Sequence, residues 1–184
     1  MFISLLLITI ASICFNENIR SVDAATIAEN TAWCKKWYDA EPHPSVFMAL
    51  TPKCPCHMPA HFPSQYNDGT RIWKTDSGCQ ASSQPNTCSY HKGAWGCYRF
   101  APKSSGPGSQ CCYTKDGKYM DDPFEGAGTL DRECAPENFF NLFQWLAHND
   151  HDVVPYDKCC ADLPMPREVC GWYYDRRPSM GCVN

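Results

Sequence analysis

The sequence predicts a small single α+β domain, rich in disulfides, with a short antiparallel hairpin core and a few short helices. Three observations carry this. Fourteen cysteines in 184 residues include two adjacent pairs, Cys111-Cys112 and Cys159-Cys160. Trp95 to Phe100 is a short aromatic run bounded by glycine and proline, followed by a strand-like segment with an Asp-Gly turn. Apolar residues fall at helical spacing in three further places.

In chain order, Phe2 to Phe15 is an apolar run too short for a membrane span of about 20 residues. It reads as the core of a secretory signal peptide, with cleavage expected near Ala24 or Ala25. Residues 1–25 are therefore the expected leader and 26–184 the domain. Ala25 to Tyr38 has Trp33, Cys34, Trp37 and Tyr38 on one helical stripe, and Pro42 and Pro44 end it. Thr51 to Gln84 reads as loop. Ser109 to Met120 reads as a hairpin turning at Lys115-Asp116-Gly117-Lys118, since Asp-Gly supplies the positive φ a tight turn needs. Cys111 and Cys112 would then point to opposite faces. Pro136 suits the first turn of the clearest helix, in which Phe139, Leu142, Phe143 and Leu146 fall at i, i+3, i+4 and i+7. Arg167 to Asp175 forms the last short helix.

Cysteine chemistry sets the compartment. Zinc sites favour C-x-x-C knuckles, and the chain has none. Cytosolic thiols stay reduced, so this spacing is a disulfide framework made outside the cytosol. Thirteen cysteines follow the apolar run, an odd number, so one is free, pairs between chains, or pairs with Cys14 if the leader is cut earlier or retained. Aromatic residues at 13% supply much of a modest core, and six bridges at about 2–4 kcal/mol each would supplement it.

Composition also excludes function classes. A net charge of −4 gives no basic footprint for nucleic acid or anionic membranes. There is no G-x-S-x-G and no H-E-x-x-H. In His148-Asn149-Asp150-His151-Asp152, His148 and His151 at i and i+3 beside acids could hold a metal or serve a small hydrolase as base. A solvated helix end explains the same run more simply.

Several segments in order resemble the AMOP domain, the adhesion-associated domain of mucin-4 and related proteins. They are Cys34-x-x-Trp37-Tyr38, Pro52-x-Cys54-Pro55-Cys56, Cys79, and Cys88-x-Tyr90-His91-x-Gly93-Ala94-x-x-Cys97-x-Arg99. Gly108-Ser109-Gln110-Cys111-Cys112-Tyr113, Gly126-Ala127-Gly128-Thr129-x-Asp131-Arg132 and Trp145-Leu146 follow. Asp152-Val153-x-Pro155-Tyr156-x-x-Cys159-Cys160 and Tyr174-x-Arg176-Arg177-Pro178-Ser179-x-x-Cys182 complete the set. The resemblance covers about Cys34 to Cys182 and implies a secreted or extracellular adhesion-type module that is not an enzyme. It brings no catalytic residue, cofactor or metal ligand to carry over. The modules that accompany the domain in its relatives are missing here, so a nearly bare domain is expected.

Set against that pattern, the bridged cysteines are Cys34, Cys54, Cys56, Cys79, Cys88, Cys97, Cys111, Cys112, Cys159, Cys160, Cys170 and Cys182. Cys134 falls outside it and becomes the odd thiol, with a disulfide-linked dimer as the consequence to test. The expected partner is a matrix or cell-surface protein. Tyr, Trp and Arg dominate binding hot spots, which makes Trp172, Tyr173, Arg176 and Arg177 the expected contact surface. A disulfide-rich inhibitor or effector presenting a rigid loop is the other binding reading.

Overall fold

A computed structural model describes residues 24–85, 88–100, 105–136, 141–161 and 163–184. Helix α1 runs over 24–40 and α2 over Ser45–Met48. Five strands form one antiparallel meander: β2 (Gln65–Asn67), β3 (Ile72–Thr75), β4 (Gly96–Phe100), β5 (Gly108–Tyr113) and β6 (Leu130–Asp131). A separate parallel pair joins β1 (Cys54–Pro55) to β7 (Cys182–Val183) near the C-terminus. The helical layer comprises α3 (Leu142–His148), α4 (Val154–Tyr156) and α5 (Arg167–Arg176). Two π-helical turns, Asn149–Val153 and Asp157–Ala161, flank α4.

The segment 51–84, read from sequence as loop, contains β1, β2 and β3. Those strands are too short and polar to show a period, and one residue anchors them. Trp73 is fully buried between exposed Ile72 and Lys74, and its indole donates to Asp68 Oδ2 at 2.8 Å. The expected hairpin is present in part. Gly117 turns at φ +80° and packs so closely on Met58 that a Cβ would sit 2.0 Å from its carbonyl oxygen. Beyond that turn the chain returns through a single bridge, Tyr113 to Tyr119.

Disulfides do the work of aliphatic packing. Among the described residues, Leu130 and Val169 are the only branched aliphatics in the buried core, beside ten cysteines. The core splits into three clusters, and the adjacent cysteines divide between them. Cys111 bonds Cys54 in the cluster around Trp73, Tyr98 and Tyr113. Cys112 bonds Cys97, its direct neighbour across β4 and β5, in the cluster with Cys79 and Cys88. Alternation along a strand sends consecutive residues to opposite faces, so one vicinal pair ties two layers to one strand. In the helical layer Cys159 reaches back to Cys34 on α1, and Cys160 reaches forward to Cys170 on α5.

The remaining bridges are Cys56–Cys182 and Cys79–Cys88, making six pairs from the twelve expected cysteines. The two longest enclose separations of 125 and 126 residues. In the chain-entropy treatment each restricts the unfolded chain by about 5 kcal/mol, against about 2.6 kcal/mol for the nine-residue loop. Among the described residues no helix is long and apolar enough to cross a membrane.

Candidate interaction face and the polar cluster behind it

Helix α3 is inside out. Asn141 caps it by accepting from the Gln144 backbone N–H. At about 100° per residue, Leu142, Phe143, Trp145 and Leu146 share one face, with Gln144 and His148 opposite. The apolar face points to solvent: Leu142 is 59% exposed, Phe143 85%, Trp145 44% and Leu146 42%. The apolar stripe read from the spacing therefore faces outward; Phe139, its first member, lies outside the described residues.

Polar contacts dictate this orientation. Gln144 is buried and its Nε2 donates to the Cys134 carbonyl at 3.1 Å, with Cys134 Sγ at 3.0 Å. His148 Nδ1 donates to the Glu133 carbonyl at 2.7 Å. Both side chains satisfy backbone groups of the segment after β6, which an apolar face could not do. Among the described residues Cys134 is the cysteine without a bridge, and it is 2% exposed. Burial pushes its thiol up to about 11, with help from the Glu133 charge. In this fold the thiol is enclosed rather than presented at the surface, where a bridge to a second chain would need it.

Beneath α3 lies a network of charges. Arg177 donates through Nε to Asp152 Oδ1 and through Nη2 to Glu41 Oε1 at 2.7 Å. Nη2 also reaches the His151 carbonyl, and Nη1 the Arg176 carbonyl. Arg132 holds the other oxygen of Glu41 at 2.9 Å. Two backbone N–H groups, of Arg132 and Glu133, donate to Asp152. Burial pushes the Asp152 carboxyl up, but His148, Arg177 and these amides overrule it and hold it below the ordinary range. Burial pulls the His148 imidazole down, yet its hydrogen bond to Asp152 and the Asp131 charge raise it overall.

A second branch runs through the sheet. Arg99 on β4 bridges Asp76 at 2.5 Å and Asp131 at 2.6 Å. Gln110 donates to Asp76 and accepts at Oε1 from His91 Nε2, 2.8 Å away. His91 Nδ1 faces the Ala127 carbonyl at 2.8 Å. Both ring nitrogens thus face acceptors, a contact set only the imidazolium completes, while burial pulls its pKa down. Burial and the Asp152 charge push Asp131 up to about 6 despite Arg99.

The His148–Asp152 run is accordingly not a solvated helix end. His148 and Asp152 belong to the buried network, and the His151 carbonyl accepts from Arg177. Among the described residues no three His, Cys, Asp or Glu side chains are arranged to hold a metal ion. Two residues of the expected contact surface on α5 are enclosed. Tyr173 is 4% exposed and Arg177 0%. Trp172 is half-buried against Tyr38, and Arg176 donates to the Tyr38 carbonyl at 3.0 Å while lying 4.1 Å over its ring. Arginine and aromatic residues here clamp α5 to α1. Cation–π geometry and charge pairing serve folding as readily as binding, and residue type alone does not separate them.

A disulfide-rich module of oxidising compartments, with an inverted helix over a buried ionic network, is the class this structure defines. The AMOP domain family model matches residues 29–184, and the chain belongs to that adhesion-associated family. It is 32% identical over 162 residues to human Sushi domain-containing protein 2, covering 82% of this chain and 18% of that protein. It is 30% identical over 161 residues to Protein mesh of Bombyx mori, covering 84% of this chain and 10% of that protein. The chain thus spans less than a fifth of the length of these curated relatives. No solved structure matches it.

Proposed function

We propose that this protein is a secreted extracellular binding module that contacts a matrix or cell-surface protein through the outer face of α3. The observation that carries the reading is the outward set of Leu142, Phe143, Trp145 and Leu146 on one short helix. A contiguous exposed apolar patch marks an interaction site more often than scattered apolar residues do. Family membership and the disulfide framework support the extracellular setting. The patch is rigidly presented, because Gln144 and His148 fix the helix from below, and rigidity lowers the ordering cost of binding.

The test is saturable binding of the purified chain to cell-derived matrix and to intact cell surfaces. Phe143→Ser with Trp145→Ser should abolish binding, while Trp172→Ala and Arg176→Ala should leave it nearly unchanged in correctly folded protein. Binding that survives loss of the α3 face would overturn the assignment of the surface.

A further inference from the structure

Between the sheet and the helical layer, a cavity of about 70 Å³ opens beside Tyr90. One water needs only about 10–15 Å³ of such space. Its lining residues carry four polar atoms with no hydrogen bond among the described residues: the Tyr173 and Thr129 hydroxyls, Asp131 Oδ1 and His148 Nε2. Tyr173, Thr129 and Asp131 are only 4%, 5% and 4% exposed. The side-chain atoms sealed away without a partner are Ser109 Oγ and Tyr119 OH, which belong to other parts of the fold. The four cavity atoms are thus reachable yet unmet, and native structures rarely leave buried polar groups so.

Their chemistry selects a guest. Asp131 commits Oδ2 to Arg99, leaving Oδ1 as a charged acceptor. His148 donates from Nδ1 to Glu133, so Nε2 presents a lone pair when the ring is neutral and none when Asp152 and Asp131 hold it protonated. Both hydroxyl oxygens accept as well. Around them Tyr90, Tyr156, Tyr173 and Tyr174 form an edge-to-face chain with centroids 5.3 to 5.4 Å apart. An ammonium group has three donors and no acceptor, and aromatic rings attract cations. The carboxylates of Glu41, Asp76, Asp131 and Asp152 pair with the guanidiniums of Arg99, Arg132 and Arg177, with His148 beside Asp152. An anionic guest would instead meet Asp131 and tyrosine rings.

We propose that this cavity binds an alkylammonium group, held by Asp131, Thr129, Tyr173 and His148 within the tyrosine rim. The head group comes from a lysine side chain of a protein or from a free amine. The experiment follows tyrosine and histidine resonances during titration with n-butylammonium, with n-butanol and butyrate as controls. Saturable millimolar binding of n-butylammonium alone is expected. Asp131→Asn should weaken it about tenfold or more, as for a lost charge-assisted bond. Thr129→Val and Tyr173→Phe, each removing one hydroxyl, should weaken it to a smaller extent.

Absence of saturable shifts in the unmodified protein overturns the proposal. So does unchanged binding in folded Thr129→Val and Tyr173→Phe, which decide the matter if Asp131→Asn fails to fold. Nα-acetyl-lysine amide and spermidine separate the sources. Tighter binding of the first supports the site and points to a protein lysine; tighter binding of the second supports it and points to a free polyamine. None of the substituted residues lies on the outward face of α3, so this proposal and the proposed binding surface fail separately.

Discussion

Arg177 and Asp152 form an ion pair sealed from solvent, Nε to Oδ1, that fastens the end of α5 to the π-helical turn after α3. Removing one partner of such a pair leaves the other charge buried and unmet, a loss of about 3–5 kcal/mol. Arg177→Met should fall in that range, because it strands Asp152 and half of the Glu41 carboxylate. In a double-mutant cycle, Asp152→Asn on the Arg177→Met background should cost far less than it does alone. Equal, additive costs measured by denaturant unfolding would show that the two do not act as a pair.

The charge network makes stability depend on pH through groups of opposite sign. Asp76 and Asp152 lie below the ordinary carboxylate range when folded: burial pushes both up, and their partners overrule it. Their contribution is present above the unfolded value of about 3.9 and is lost as pH falls toward the folded values. Asp131, pushed up to about 6, holds its proton more tightly when folded, so its contribution is lost as pH rises through about 6. Raised His148 acts in the same direction at higher pH, and lowered His91 acts against it. The observable is the difference between variants. His148→Gln should cost most near pH 5 and progressively less toward pH 8, measured by denaturant midpoint across about three pH units. A cost independent of pH would remove His148 from the network.

Cys134 should be chemically silent in the native state. Its thiol sits under Gln144, and a pKa near 11 leaves about one thiolate in a thousand at pH 8. Alkylation should label no cysteine in the folded protein and one after denaturation without reductant. On a non-reducing gel the protein should run as a monomer, with Cys134→Ser unchanged. Rapid native labelling at Cys134 would mean that α3 opens from the segment beneath it.

What the sequence made legible follows from locality. The Asp-Gly turn at Asp116-Gly117, the aromatic strand before it and the helix from Arg167 depend on neighbouring residues, and they form. The odd cysteine followed from arithmetic, and Cys134 from its place outside the ordered motifs. What was hidden depends on distant partners. β1 to β3 are held by Trp73 and by bonds to Cys111 and Cys182, none of which leaves a periodic trace. Arg177 looked like an exposed hot-spot residue because its carboxylates are Glu41 and Asp152, 136 and 25 positions away. The cavity was equally invisible, since Thr129, Asp131, His148 and Tyr173 meet only through the fold. The period over Leu142 to Leu146 located a helix but not which face is covered: the polar side packs inward, an inversion of the usual order, because Gln144 and His148 find buried backbone partners.

That inversion yields the last prediction. In an ordinary amphipathic helix, trading apolar residues for serine opens the core and costs several kcal/mol, whereas trading the polar ones costs little. Here the order should reverse. Phe143→Ser and Trp145→Ser remove side chains that are 85% and 44% exposed, so stability should change by no more than about 0.5 kcal/mol each. Gln144→Ala strands the Cys134 carbonyl in the interior and should cost about 1–3 kcal/mol. The same serine variants should lower the binding of an apolar dye to the native protein, because they remove its exposed patch. Circular dichroism melts of the three variants decide it: if Phe143→Ser proves the most destabilising, the apolar face of α3 is buried in solution and the interaction surface must be sought elsewhere.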